Sequence, residues 1–223
     1  MPYFDHSATT PLHPQVIDKM NEVSEFNYGN PSSLYSSGRK SKAIIEKARH
    51  LIAQTIEALA SEIYFTGSGT EANNMVIWSM IYGNKKHIIT SAVEHPAILN
   101  VIEQLKPFGV SSTILPVNSE GQVNPKDLEA SIREDTGLVS IMMVNNEVGT
   151  IQPIKTLSEI AQNSNIPFHS DSVQALGKIP LSVKELGAQF LSFSGHKFYG
   201  PKGVGFLYCK KETKLNSLII GGS

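Results

Sequence analysis

Cysteine is nearly missing from this 223-residue chain, where Cys209 stands alone. A single thiol excludes an intrachain disulfide framework and any multi-cysteine zinc or iron–sulfur centre. Charge is sparse as well: Asp, Glu, Lys and Arg make up 17% of the residues, against roughly 25% in an average domain. The two signs nearly cancel, 19 Lys and Arg against 20 Asp and Glu, for a net charge of −1. The basic excess of a nucleic-acid binder is therefore lacking, and so is the polar, highly charged composition of a disordered chain. No stretch approaches ~18 continuous apolar residues, so no membrane-spanning helix is expected. The opening Met1-Pro2-Tyr3-Phe4-Asp5-His6 has no basic start and no apolar run behind it. A signal peptide is not expected either, and the default is a soluble cytoplasmic protein.

What is present is a core's worth of apolar sequence, 40% of the residues, enough for one large domain or two small ones. From about residue 60, short β-branched or aromatic runs alternate with amphipathic stretches. Runs at 62–66, 87–90, 112–115, 138–144, 166–169, 190–193 and 204–208 read as strands bounded by Gly, Pro, Asn or Ser. Helical patterns lie at 71–82, 97–105, 125–133 and 154–163, and a longer one at 39–60 follows a turn-rich loop at 28–33. Strands alternating with helices of this length predict an α/β fold: a mostly parallel seven-stranded sheet with helices on both faces.

In such sheets ligands bind beyond the carboxyl ends of the strands, and three of those positions carry chemistry. After the first strand, Thr66-Gly67-Ser68-Gly69-Thr70-Glu71 is a glycine turn opening a helix. It offers backbone N–H groups and a helix dipole to an anion, or does no more than cap the helix. It lacks the Gly-Lys-Ser/Thr ending of a nucleotide loop, and its glycine spacing is not a dinucleotide fingerprint. After the strand at 166–169 stands Asp171, either a helix cap or an acid awaiting a cation. A metal site on His169 and Asp171 would need further ligands that do not stand out, so no metal is expected. After the strand at 190–193, Lys197 sits in a Gly/Pro-framed loop, either a solvated charge or a Schiff-base nucleophile. A phosphate cradle, an acid and a lysine ending different strands of one sheet together suit pyridoxal 5'-phosphate. The loops carrying His95 and Asn145 add an imidazole and amide donors.

The order of these motifs resembles the cysteine desulfurases of the class V aminotransferase family, fold-type I pyridoxal-phosphate enzymes. The likeness runs from Tyr3-Phe4-Asp5-His6-Ser7 and Gly29-Asn30-Pro31-Ser32-Ser33 through Gly67-Ser68-Gly69-Thr70-Glu71-Ala72-Asn73, Glu94-His95 and Asn145-Asn146-Glu147. It closes on Asp171-Ser172-Val173-Gln174 and Ser194-Gly195-His196-Lys197. It implies that Lys197 is the Schiff-base lysine and that Asp171 pairs with the pyridinium nitrogen. Gln174 would bond the ring's phenolic oxygen, and His95 would stack on the ring and shuttle protons. Gly69, Thr70, Ser194 and His196 would hold the phosphate, while Asn145 would be a substrate-side amide. The family converts L-cysteine to L-alanine, passing sulfur to an enzyme cysteine. It forms homodimers that serve sulfur-acceptor or iron–sulfur scaffold proteins.

That sulfur-accepting cysteine lies well beyond the lysine in the family, whereas Cys209 follows Lys197 by twelve residues and ends an apolar strand pattern. A buried structural role is expected for it. The chain is thus expected to hold an N-terminal segment (1–15), a cofactor-binding large domain (16–215) and the start of a connection (216–223) to an absent small domain. It would then be inactive in desulfuration as it stands. A fragment of a longer enzyme, a naturally shortened product and a chain completed by a second one all fit. Selenocysteine lyase, another class V lyase or aminotransferase, and a catalytically silent cofactor-binding or interaction module are the alternative functions.

Overall fold

A computed structural model describes residues 2–221; Met1, Gly222 and Ser223, at the ends of the expected 1–15 and 216–223 segments, lie outside the described residues. In chain order the helices and strands are α1 (Pro14–Phe26), α2 (Ser36–Thr55), β1 (Ile63–Thr66), α3 (Gly69–Trp78), β2 (His87–Ser91), α4 (Pro96–Leu105) and β3 (Ser111–Leu115). There follow α5 (Pro125–Ser131), β4 (Thr136–Ser140), α6 (Ile154–Asn163), β5 (Phe168–Asp171), α7 (Val183–Leu186), β6 (Phe190–Ser194) and β7 (Gly205–Cys209). The seven strands form one sheet in the order β1-β7-β6-β5-β4-β2-β3. Only β7 runs against its neighbours, pairing antiparallel with both β1 and β6. The other six point one way, so their carboxyl ends share one edge.

Both faces of the sheet are covered, which is why the strands read as continuous apolar runs rather than as alternating ones. Successive residues still part company at each step: Ile88 and Leu138 join the core under α3 and α4, while Ile89 and Val139 join the core under α2, α5 and α6. Val76 and Ile98 close the first core, and Ile56, Leu128 and Leu157 the second. In the second core, Phe193 and Phe206 of neighbouring strands stack with ring centroids 4.4 Å apart.

The structure departs from the sequence reading in three places that bear on the site. The run at 138–144 stays strand only to Ser140, because β2, its partner on one side, ends at Ser91. Beyond it Ile141 and Met143 keep bonding to His169 and Asp171 of β5, while the Met142 N–H turns to a side chain, Glu94. The helix expected at 39–60 runs from Ser36 to Thr55 and stops at a turn in which Glu57 takes φ 60°. Helix α1, for which no element was expected, has no buried residue, although Val16, Ile17, Met20 and Val23 fall at helical spacing.

Candidate active site

The glycine turn leads straight from β1 into α3. The Ser68 hydroxyl caps the helix by accepting from the Glu71 N–H at 3.0 Å, and the Glu71 carboxylate accepts from the Gly67 N–H at 2.7 Å. The turn therefore caps the helix, as one of its two readings had it. Gly69 begins the helix pressed against the loop that follows β5 and the end of β6. A Cβ at this position would lie 2.5 Å from the Val173 side chain and 3.3 Å from that of Ser194. Only glycine lets the helix start approach so closely, and a first helical turn cannot satisfy its own N–H groups.

Asp171 ends β5 with both oxygens engaged. One accepts from the Asn73 side-chain amide at 2.7 Å, the other from the Val173 N–H at 3.1 Å. Burial pushes its carboxyl above the usual range, against those two hydrogen bonds and the charges of His95 and Lys197. Asn73 was not singled out in the sequence; its place one turn into α3 from Gly69 was the available signal. Two residues back on β5, His169 has Nδ1 on the Ser140 hydroxyl at 2.8 Å and Nε2 on the Ser192 hydroxyl at 2.9 Å. Both ring nitrogens are spent tying β4, β5 and β6 together, which removes the metal reading of His169. Among the described residues no group of three His, Cys, Asp or Glu side chains could hold a metal ion.

Lys197 lies in a short turn after β6, wound so tightly that a Cβ on Gly200 would meet the Gly195 carbonyl at 2.8 Å. Its ammonium donates to the Ser7 and Ala8 carbonyls at 2.6 and 2.8 Å. Burial lowers its pKa from the ordinary lysine value, opposed by the charges of Asp171 and Asp5. Residues 5–10 therefore act as a strap across this edge of the sheet. Thr10 donates through N and Oγ1 to the His196 carbonyl, at 2.9 and 3.0 Å. His196 Nδ1 sits 3.1 Å from the Thr9 hydroxyl, and burial, then Lys197 and Lys202, lower its pKa. Gln174 donates to the Ser7 carbonyl at 2.8 Å and accepts from Lys178. Neither the strap nor Lys178 was read as part of the site from the sequence.

His95 caps α4: its Nδ1 accepts from the Ala97 N–H at 3.0 Å, so the neutral ring carries its proton on Nε2. Eight of the nine residues singled out in the sequence (Lys197, His95, Gly69, Thr70, Asp171, Gln174, Ser194 and His196) line one cavity of about 440 Å³. Asn145 is the exception. It is buried with its Nδ2 on the Val93 carbonyl and its Oδ1 taking the Glu147 and Val148 N–H groups, so its amide is consumed in holding the loop. Its neighbour Asn146 lines the cavity instead. Cys209 lies elsewhere, 4% exposed in the core under α3 and α4, with burial pushing its thiol up to about 11.

Lys197, Asp171 and the Gly69 turn thus meet in one cavity at the sheet edge of an α/β domain. Residues 2–223 match the model of the family described as aminotransferase class-V, and the chain belongs to that family. It is 50% identical over 99% of its length to the cysteine desulfurase IscS of Dictyoglomus turgidum, and 47% identical to that of Methanosarcina thermophila. It spans 57% and 55% of those proteins, a little over half their length. Among solved structures, a NifS-like protein superposes with a TM-score of 0.96 at 40% identity, over 99% of this chain and 62% of that one. A structure described as SspA in complex with cysteine gives 0.96 at 37% identity, over 100% of this chain and 65% of that one.

Proposed function

We propose that this chain is the cofactor-holding part of a pyridoxal-phosphate-dependent cysteine desulfurase. The observation that carries the reading is the convergence of Lys197, Asp171 and the Gly69 cradle on one cavity. The residues fit the cofactor. Gly69 lets the start of α3 pack closely against Val173 and Ser194 at the cavity, Thr70, Ser194 and His196 supply donors, and Asp171 is a buried acid within reach of Lys197's charge. When bound, the cofactor supplies an electron sink for bonds at the amino acid's α-carbon.

The chain's own side chains do the rest. Desolvation favours the unprotonated, nucleophilic Lys197 amine. Asn73 and the Val173 N–H hold the Asp171 carboxyl in one orientation, ready to ionise against a protonated ring nitrogen. His95, its Nδ1 accepting from the Ala97 N–H, lines the cavity and has Nε2–H as its remaining hydrogen-bond donor. L-Cysteine as substrate is supported by the desulfurase relatives and by the cysteine-bound SspA structure. Cys209 cannot take up sulfur, since its thiol is buried and protonated at neutral pH. A homodimer, an iron–sulfur scaffold or other sulfur acceptor as partner, and a cytoplasmic location complete the proposal; likeness to the desulfurases supports the first two.

The test is spectroscopic. Protein mixed with the cofactor is expected to gain a visible absorbance band that Lys197→Ala abolishes; a colourless wild type would overturn the cofactor assignment. Given cysteine, the chain alone is expected to release neither sulfide nor alanine.

A further inference from the structure

Glu94 is a buried acid beside the site for which the proposed chemistry has no use. It is 6% exposed and stands in the loop between β2 and α4, one residue before His95. One of its oxygens, Oε1, accepts from the Ser91 hydroxyl at 2.6 Å and from the Met142 N–H at 2.8 Å. The first bond closes its own loop. The second reaches the chain leaving β4 where β2 has ended, supplying the acceptor that a strand neighbour would otherwise give. A parallel stitch joins the same two segments, from the Asn145 side-chain amide to the Val93 carbonyl at 3.0 Å. Met142 and His95 both line the cavity. The carboxyl thus lies between two of its walls.

The other oxygen, Oε2, is buried with no hydrogen-bond partner. An ionised carboxylate with one bare oxygen away from water is unfavourable, more so beside a second acid. Burial is the main reason its pKa is held up at about 8, and Asp171's charge adds to it. The two acids therefore divide the roles. Asp171 has donors on both oxygens and is equipped to carry the site's negative charge, whereas Glu94 is equipped to stay uncharged.

We propose that Glu94 is a positioning residue for His95, bolting the β2–α4 loop to the segment after β4 so that the imidazole stays fixed at the cavity wall. It does so as a neutral acid: what the structure uses is an acceptor oxygen, which glutamine supplies and alanine does not. The inference rests on the cofactor reading only for what His95 faces; the bolt itself belongs to the chain.

The experiment compares wild type, Glu94→Gln and Glu94→Ala on the full chain, first without cofactor. Amide exchange at Met142 and the ring resonances of His95 are the readouts, with β5 amides as a control for global folding. Glu94→Gln is expected to keep both signals. Glu94→Ala is expected to speed Met142 exchange at least tenfold and to shift the His95 resonances while β5 stays protected. With the cofactor added, the circular-dichroism band of the bound ring should persist in Glu94→Gln and fall several-fold in Glu94→Ala, as it should in His95→Ala. Should Glu94→Ala fail to fold, Ser91→Ala removes one of the two bonds and should give an intermediate loosening. Wild-type exchange and His95 signals in the alanine variant would overturn the proposal. So would a glutamine variant as loose as the alanine one, since the charge would then be what matters. If wild type shows no visible band, the cofactor reading fails, while the exchange and His95 measurements still decide the role of Glu94.

Discussion

Acid lability traced to one buried histidine is the sharpest consequence of this fold. His169 is wholly enclosed among β4, β5 and β6, and burial drops its pKa from 6.5 to about 3. Between those values the unfolded chain binds a proton that the folded chain refuses, so stability falls as pH falls through the window. The gap of about 3.5 units corresponds to about 5 kcal/mol in full, at about 1.4 kcal/mol per unit. More than half of this is already lost at pH 4.5. Glu94 and Asp171, both held above their usual values, slope the other way, so the wild-type curve alone would mix the contributions. His169→Gln isolates the histidine. Its amide can bond to Ser140 or Ser192 but does not titrate, and any packing defect offsets its curve equally at every pH. Urea unfolding of cofactor-free protein at half-unit steps from pH 4 to 7.5 is the assay. The wild-type-minus-variant difference should be flat above pH 6.5 and fall by about 1.4 kcal/mol per unit below it. A difference curve parallel to the axis down to pH 4 would refute the reasoning. It would mean that the imidazole is charged in the fold, or that the acid state lets water in between the strands.

Other outcomes follow from single contacts. Glu94→Gln should flatten the stability profile between pH 5 and 8, because a carboxyl raised to about 8 makes the folded state less stable as pH rises through that range; denaturant titration at pH 5 and 8 checks it. Gly69→Ala forces a methyl to within 2.5 Å of Val173 and should cost about 1–3 kcal/mol, while weakening cofactor binding at least tenfold by fluorescence quenching. Asn73→Leu removes one of the two donors on Asp171; it should cost about 1–3 kcal/mol and raise the cofactor's Kd, both measured on the same sample. Cys209→Ala should lower stability by about 1–2 kcal/mol in thermal unfolding and leave the visible band of bound cofactor intact.

The sequence revealed most where chemistry and local structure coincide. A glycine turn opening a helix, an acid closing a strand and a lysine framed by Gly and Pro were each legible because their neighbours along the chain explain them. The strands were legible for the same reason, since burial on both faces leaves unbroken apolar runs such as Ile88-Ile89 and Phe206-Leu207. What stayed hidden depends on partners far away in the chain. The Ser7 and Ala8 carbonyls meet Lys197 from 190 and 189 positions away, and Asn73 meets Asp171 across 98. No periodicity encodes such pairings. Asn145 shows the limit of residue type as a guide. An asparagine in such a loop reads as a ligand group, and its side chain here also bonds the Val93 carbonyl, the Met142 sulfur and the Glu147 and Val148 N–H groups, contacts that residue type does not announce. Residue type and position at a strand end therefore identify the neighbourhood of a site. Which side chains face the ligand and which hold the wall is decided by hydrogen-bond satisfaction, and that is settled only once the β2–α4 loop and the segment after β4 are brought together.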